Sequence, residues 1–305
     1  MTIKPHPDFM KAGKIAGKVL GFIEGEVKPS VKVLKICKLA EEKIIEFGAS
    51  GIAFPCNVSI NNEAAHYTSP HADTKVFPDK GLVKVDIGAH VNGYISDTAI
   101  TVDLDGSYEK YIAAAKEALE AAIETVRPNV RLGEVGRSIE QTIKKHGLKP
   151  IHQLSGHQLK PWILHAGKNV PNVGMKISSA MNLGETYAIE PFATNGNGAI
   201  KSGQYSYIFS NKMKDKKKID RNALRVRNAA RQMFKTLPWA GRWLHGKITG
   251  VDVEVAIKAL QRSGAIQGYP VLYEAKDGMV SQFEHSVFVG PEGAIVSTRR
   301  DNELQ

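Results

Sequence analysis

Cysteine is almost missing from this chain: Cys37 and Cys56 are the only two in 305 residues. That count excludes a disulfide-stapled scaffold. No apolar leader and no apolar run of membrane-spanning length can be found, so the expectation is a reduced cytoplasmic protein with no membrane partner. Aromatics are sparse at 7%. The lysine run Lys212-Met213-Lys214-Asp215-Lys216-Lys217-Lys218 has none interleaved, which argues against base stacking there. Hydrophobic residues at 42% and charged ones at 24% exclude a disordered chain and leave room for a substantial core in one large or two smaller domains.

What is present is a set of acids and histidines inside short strand-like segments. Val83 to Gly88 and Tyr94 to Ala99 flank an Asn92-Gly93 turn signal and read as a β-hairpin. With that turn, position 88 faces 97 and 86 faces 99, so Asp86 and Asp97 are diagonal neighbours on one face, about 7–8 Å apart. A hairpin with two solvated aspartates is equally compatible with this segment alone. Ser155-Gly156-His157, Leu164-His165-Ala166-Gly167, Tyr187-Ala188-Ile189-Glu190-Pro191 and Ser281-Gln282-Phe283-Glu284-His285 tip the balance. Period two puts Gln282, Glu284 and Ser286 on one face and Phe283, Val287 and Val289 on the core side. Four carboxylates and one imidazole, Asp86, Asp97, His157, Glu190 and Glu284, are what two divalent cations sharing a water require. Cobalt, manganese, iron and zinc all suit such a donor set.

Taken in order, Phe54-Pro55-Cys56-Asn57, Asn61-Asn62-Glu63-Ala64-Ala65-His66, Val85-Asp86-Ile87-Gly88, Ser96-Asp97-Thr98-Ala99, Gly156-His157, His165-Ala166-Gly167, Ile189-Glu190-Pro191 and Gln282-Phe283-Glu284-His285 resemble a type II methionine aminopeptidase over nearly the whole chain. The resemblance implies a pita-bread α/β (α+β) fold, two pseudo-symmetric αβ halves around a dinuclear metal site. It also implies roles. Asp86 would chelate one ion, Asp97 and Glu284 would bridge, and His157 and Glu190 would complete the other. Glu190 would relay the proton, His165 would meet the scissile carbonyl and His66 the scissile amide, while Phe54, Pro55 and Asn57 would line the methionine pocket. The implied activity is removal of the initiator methionine from nascent chains whose second residue is small, by a monomer. The likeness is to the archaeal form, because helical periodicity begins within the first few residues. Eukaryotic relatives close the site with a C-terminal tyrosine; this chain has Asn302-Glu303-Leu304-Gln305, so the likeness does not extend to that closure. An Xaa-Pro peptidase uses the same ligand types but typically carries an acid soon after the second histidine, where this chain has Ala166-Gly167. A non-catalytic binding protein of the same fold would have lost ligands, and all five stand here.

Periodicity predicts helices over 8–26, 30–47, 106–126 and 132–147, two before each strand region. Ninety-four positions separate Glu190 from Glu284. Within them 199–275 reads as a helical insertion of the type II kind, leaving 1–198 and 276–305 as the catalytic domain. Asp220 is placed to cap a helix over 221–236 with an apolar stripe of Ala223, Val226, Ala230, Met233 and Leu237; Thr249 or Asp252 is placed to cap a second, ending at Gly264. This stretch has 15 Lys and Arg against 5 Asp and Glu, which is the entire excess of the chain's 41 over 31. For an enzyme of emerging chains, basic residues 212–231 suggest contact with ribosomal RNA; a merely solvated lysine face is the plainer reading.

Overall fold

The computed structural model describes residues 3–212, 219–300 and 303. Helices α1 (Pro7–Glu24) and α2 (Val33–Glu46) open the chain close to their predicted bounds. The second starts late because Ser30, after Pro29, takes a left-handed φ of 65° in a turn. Both bury one stripe, Ile15, Val19 and Ile23 on the first and Ile36, Ala40 and Ile44 on the second. They cover a sheet built from β1 (Gly51–Ile60), then, after short β2 (Glu63–Ala65), the hairpin β3 (Leu82–Val91) and β4 (Tyr94–Asp103), in the order β1-β3-β4. Asn92 and Gly93 have φ of 51° and 91°, the double positive φ that a two-residue hairpin turn needs. The register is the predicted one, with Gly88 opposite Asp97 and Asp86 opposite Ala99.

The order then repeats. Helices α3 (Glu109–Thr125) and α4 (Leu132–Lys145) precede β5 (Lys149–Pro150), β6 (Ser155–Leu159), β7 (Asn169–Pro171), β8 (Thr186–Ile189) and β9 (Phe192–Thr194). One continuous core runs through all four helices and both halves.

Next come β10 (Ile200–Asn211), α5 (Arg221–Phe234), β11 (Trp239–Ala240), a 3-10 turn over Gly241–Leu244, α6 (Val253–Ser263) and β12 (Ile266–Glu274). This corrects the all-helical reading of 199–275, because its two longest strands pair antiparallel at its two ends. Lys201, Ser202, Gln204 and Tyr205 of β10 are exposed, so the strand carries little apolar alternation to read. The helices inside behave as predicted at their ends. Asp220 accepts from the N–H groups of Asn222 and Ala223, Asp252 from that of Val255, and Gly264 closes α6 at a left-handed φ of 75°. The stripe differs at its tail: Met233 is exposed, and Leu237 is buried from the turn after Phe234 rather than from the helix. Phe209, Trp239, Leu244, Ile257 and Leu260 belong to a core of this region's own. Its sheet, ordered β11-β10-β12-β2, is finished by a strand from the first half.

Strands β13 (Val280–Gln282), β14 (His285–Val289) and β15 (Ala294–Val296) complete the second half: β13 joins a small sheet ordered β13-β9-β5, and β14 and β15 extend one ordered β15-β14-β8-β6-β7. Its seam with the first half lies along β4. Glu284 donates its N–H to Ala99 O at 3.0 Å, Ser286 Oγ accepts from Asp97 N at 2.7 Å, and Thr101 Oγ1 donates to Gln282 O at 2.6 Å. The seam therefore runs through two of the predicted metal ligands. Among the described residues no helix is long and apolar enough to cross a membrane.

Candidate active site

All five predicted ligands line one cavity of about 310 Å³, together with His66, His165, Phe54 and Asn57. Asp86 and Asp97 reach it from adjacent strands of the hairpin, and His157 comes from β6. Gly156 lets that strand approach β8, for a Cβ at this position would lie 2.3 Å from Ala188 O. Glu190 follows β8 directly, and Glu284 sits between β13 and β14. Asp97, His157 and Glu284 offer ligand atoms all within 4.8 Å of one another. His157 Nε2 is 3.3 Å from Asp97 Oδ2 and 4.0 Å from Glu190 Oε1.

Taken alone this cluster is electrostatically costly. Burial, then the Asp97 charge, pushes Asp86 well above the ordinary carboxylate range; burial, then Asp97 and neighbouring acids, does the same to Glu190 and Glu284. Burial takes Asp97 up to about 7 and His157 down to about 4. Asp86 Oδ1 and Glu284 Oε1 are buried with no hydrogen-bond partner. Buried acceptors without donors are rare in stable folds, and a hard dication satisfies such oxygens while favouring their charged form. The donor set fits divalent metal.

The other end of the cavity is built differently. Residues Pro55 and Cys56 form a bulge in β1: Phe54 pairs with Gly88 and Asn57 with Asp86, which leaves two residues opposite one, Ile87. The extra residue turns Phe54 and Asn57 to one face, where an unbroken strand would set them on opposite faces. Gly88 makes room for the ring, since a Cβ there would meet Phe54 Cε1 at 2.2 Å. Pro55 is buried in the bulge and does not line the cavity; its carbonyl accepts from Asn57 Nδ2 at 2.8 Å. That bond orients the amide and leaves Asn57 Oδ1 buried without a donor.

His66 stands at a left-handed φ of 67° after β2, and its Nδ1 is 3.3 Å from Pro270 O on β12. A carbonyl only accepts, so Nδ1 carries the proton and Nε2 is an acceptor. Burial lowers its pKa to about 4. His165 is open to the cavity, its ring centroid 4.3 Å from that of His157. Enclosure by the cavity walls, then the neighbouring His157, lowers its pKa as well. Both are neutral at pH 7.

Several lining residues had no sequence signal, among them Ile208, Pro238 and Tyr269, which come from the region between the two glutamates. Gln282 had one, its shared face with Glu284, but no role attached to it. Its Nε2 lies 3.4 Å from Glu284 Oε2 and 3.5 Å from Glu190 Oε2.

Known proteins sharpen this picture. The profile of Metallopeptidase family M24 matches residues 8–214, more than half of the chain. The chain belongs to that family. It is 44% identical over 300 residues to a methionine aminopeptidase of Saccharolobus solfataricus, covering 98% of this chain and 99% of that one. To the methionine aminopeptidase of Methanocaldococcus jannaschii it is 38% identical, covering 98% and 100%. Among solved M24-like folds, a methionine aminopeptidase from Thermotoga maritima superposes with a TM-score of 0.69 at 21% identity, covering 98% of this chain and 100% of that one. A Pyrococcus furiosus prolidase gives 0.62 at 16% identity, covering 98% and 66%. These two likenesses establish the pita-bread arrangement of the M24 fold.

Proposed function

We propose that this M24 enzyme removes the N-terminal methionine from nascent proteins whose second residue is small. The observation that carries the reading is whole-length identity to archaeal methionine aminopeptidases together with five metal-type ligands converging on one cavity. Two divalent ions held by Asp86, Asp97, His157, Glu190 and Glu284 would supply Lewis acidity and a water of lowered pKa. Glu190, at the rim of that cluster, takes the attacking water's proton and returns it to the leaving amine. Neutral His66 offers Nε2 as an acceptor to the scissile N–H, and His165 donates to the carbonyl oxygen as charge develops there. Asn57 Oδ1 accepts from the substrate's α-amine. Phe54 and Leu164 give the methionine side chain an apolar wall.

In this reading residues 1–198 and 276–305 are the catalytic domain, 199–275 is an insertion that finishes the pocket, and the enzyme works as a cytoplasmic monomer. Chelated protein, resupplied with cobalt, manganese, iron or zinc one at a time, is expected to recover hydrolysis of Met-Ala-Ser and to leave an Xaa-Pro dipeptide intact. Recovery on the Xaa-Pro substrate alone would make it a prolidase.

A further inference from the structure

The bulge that aims Phe54 and Asn57 leaves Cys56 outside the β1–β3 ladder, and its backbone groups are satisfied from elsewhere. Cys56 N donates to Glu41 Oε1 at 3.2 Å, and Cys56 O accepts from Thr68 Oγ1 at 2.7 Å. Glu41 lies on α2 and is 7% exposed; its ion-pair partner is Arg242, 8% exposed, from the 3-10 turn of the insertion. The same guanidinium donates to Thr68 Oγ1 at 2.6 Å and to Ser69 O at 2.9 Å. Trp243 Nε1 donates to the other Glu41 oxygen at 2.8 Å. One buried pair thus fixes both the bulge and the residues just after His66. On its other side His66 is held by Pro270, again from the insertion.

We propose that Arg242 and Glu41 are positioning residues for the substrate end of the site, through which the insertion sets Phe54, Asn57 and His66. A planar fork suits this task, because it reaches a carboxylate, a hydroxyl and a carbonyl at once, which an ammonium point charge cannot do in one plane. None of these contacts touches Asp86, Asp97, His157, Glu190 or Glu284, so metal binding and substrate geometry are separable. The kinetic consequence rests on the aminopeptidase reading; the geometry does not.

The test uses full-length Arg242→Ala, Arg242→Lys and Thr68→Val, the last a change of similar shape that replaces the hydroxyl with a methyl. Hydrogen exchange reads geometry without turnover. Amides in 54–58 and 66–70 are expected to exchange about tenfold faster or more in Arg242→Ala, with those of β4, 94–103, unchanged. Met-Ala-Ser kcat/KM should fall about 10²-fold in Arg242→Ala at full metal content, the scale set by an ångström of misplacement. Thr68→Val and Arg242→Lys should fall less. Millimolar free guanidinium should recover part of the Arg242→Ala loss and none of the Thr68→Val loss. Exchange that quickens evenly along the chain, or turnover that falls only with folded fraction or metal content, would overturn the proposal. So would normal turnover in Thr68→Val with unaltered exchange. Wild-type protein inactive on Met-Ala-Ser, but with the variant exchange pattern intact, supports the positioning geometry and overturns the aminopeptidase reading alone.

Discussion

The two ends of the cavity are made by opposite means. At the metal end, Asp86, Asp97 and His157 stand on strands, and Glu190 and Glu284 at their ends, so strand register within each sheet and the seam between the two sheets bring the donors together. At the other end, His66 sits in a left-handed turn, Phe54 and Asn57 straddle a bulge, and Pro238 and Tyr269 arrive from the stretch between the two glutamates. A rigid sheet suits charges that must be held close at high electrostatic cost. Loops and an insertion suit a surface that selects a side chain, since they can vary without disturbing the metal ligands.

The contrast is broken most severely at the metal end. Asp97→Ala or Glu284→Ala is expected to abolish Met-Ala-Ser hydrolysis while the protein stays folded. Each removes a donor from the tight Asp97, His157 and Glu284 group. A purified variant keeping more than about a tenth of normal turnover at saturating metal sinks the ligand assignment, because such metals lower the pKa of bound water by many units. Loss of metal should accompany the loss of turnover, as read by elemental analysis.

At the other end turnover and metal content should part company. His66→Ala is expected to lose about 10²-fold in kcat, the scale of one hydrogen bond aimed at the reacting centre, with metal stoichiometry intact. The pKa of His66 is lowered to about 4, so it is neutral, with Nε2 free to accept, throughout the range above that value. Protonation below it removes the acceptor. Wild-type and His66→Ala pH profiles should therefore share their shape between pH 5 and 8, on the order of the range an ordinary histidine spans. An ionisation in that interval that vanishes with His66 contradicts the assignment.

Legibility in the sequence follows the same division. The hairpin and its register were readable because Asn92-Gly93 is a strong turn signal and period two fixes the faces, and the caps at Asp220, Asp252 and Gly264 are local chemistry. Bringing His157 and Glu284 beside Asp97 is a long-range matter: residue type and strand context mark the five donors as a set, and resemblance to a family supplies their individual roles and the fold that joins them. The bulge at Pro55-Cys56 was not legible, since the groups that satisfy it lie on α2, after β2 and in the insertion. Strand β10 escaped for a simpler reason: its exposed polar positions erase the alternation that marks a strand. Arg242 was counted only as charge, although it is buried and paired.

A smaller effect concerns the residue after the methionine. His66, edge-on to Tyr269, and His165, beside His157, line the cavity, and in the aminopeptidase reading they flank the residue after the methionine. Met-Ala-Ser is expected to turn over at least about tenfold faster than Met-Lys-Ser, a size discrimination of ordinary strength. Equal kcat/KM for the two peptides contradicts that filter.

The smallest expected effect on turnover comes from the region richest in charge. Residues 199–275 carry all of the chain's formal excess, 15 basic against 5 acidic residues. Lys216, Lys217 and Lys218 lie outside the described residues, whereas Arg221 and Arg225 are exposed on α5. Not all the positive charge there is surface charge, for Arg242 is buried against Glu41. Replacing Lys216, Lys217, Lys218, Arg221 and Arg225 with glutamate should leave Met-Ala-Ser kcat/KM within about twofold, because screening confines exposed charges to a reach of about 8 Å in physiological salt. Docking to ribosomal RNA, if this surface serves it, responds in the opposite way. Wild-type co-sedimentation with ribosomes should fall linearly in log affinity against log salt as counterions are released. The reversed variant should pellet weakly even at low salt. Identical pelleting of the two across the salt series reduces this face to solvated lysine and arginine, and assigns the insertion's work to the pocket that Arg242, Pro238 and Tyr269 help to build.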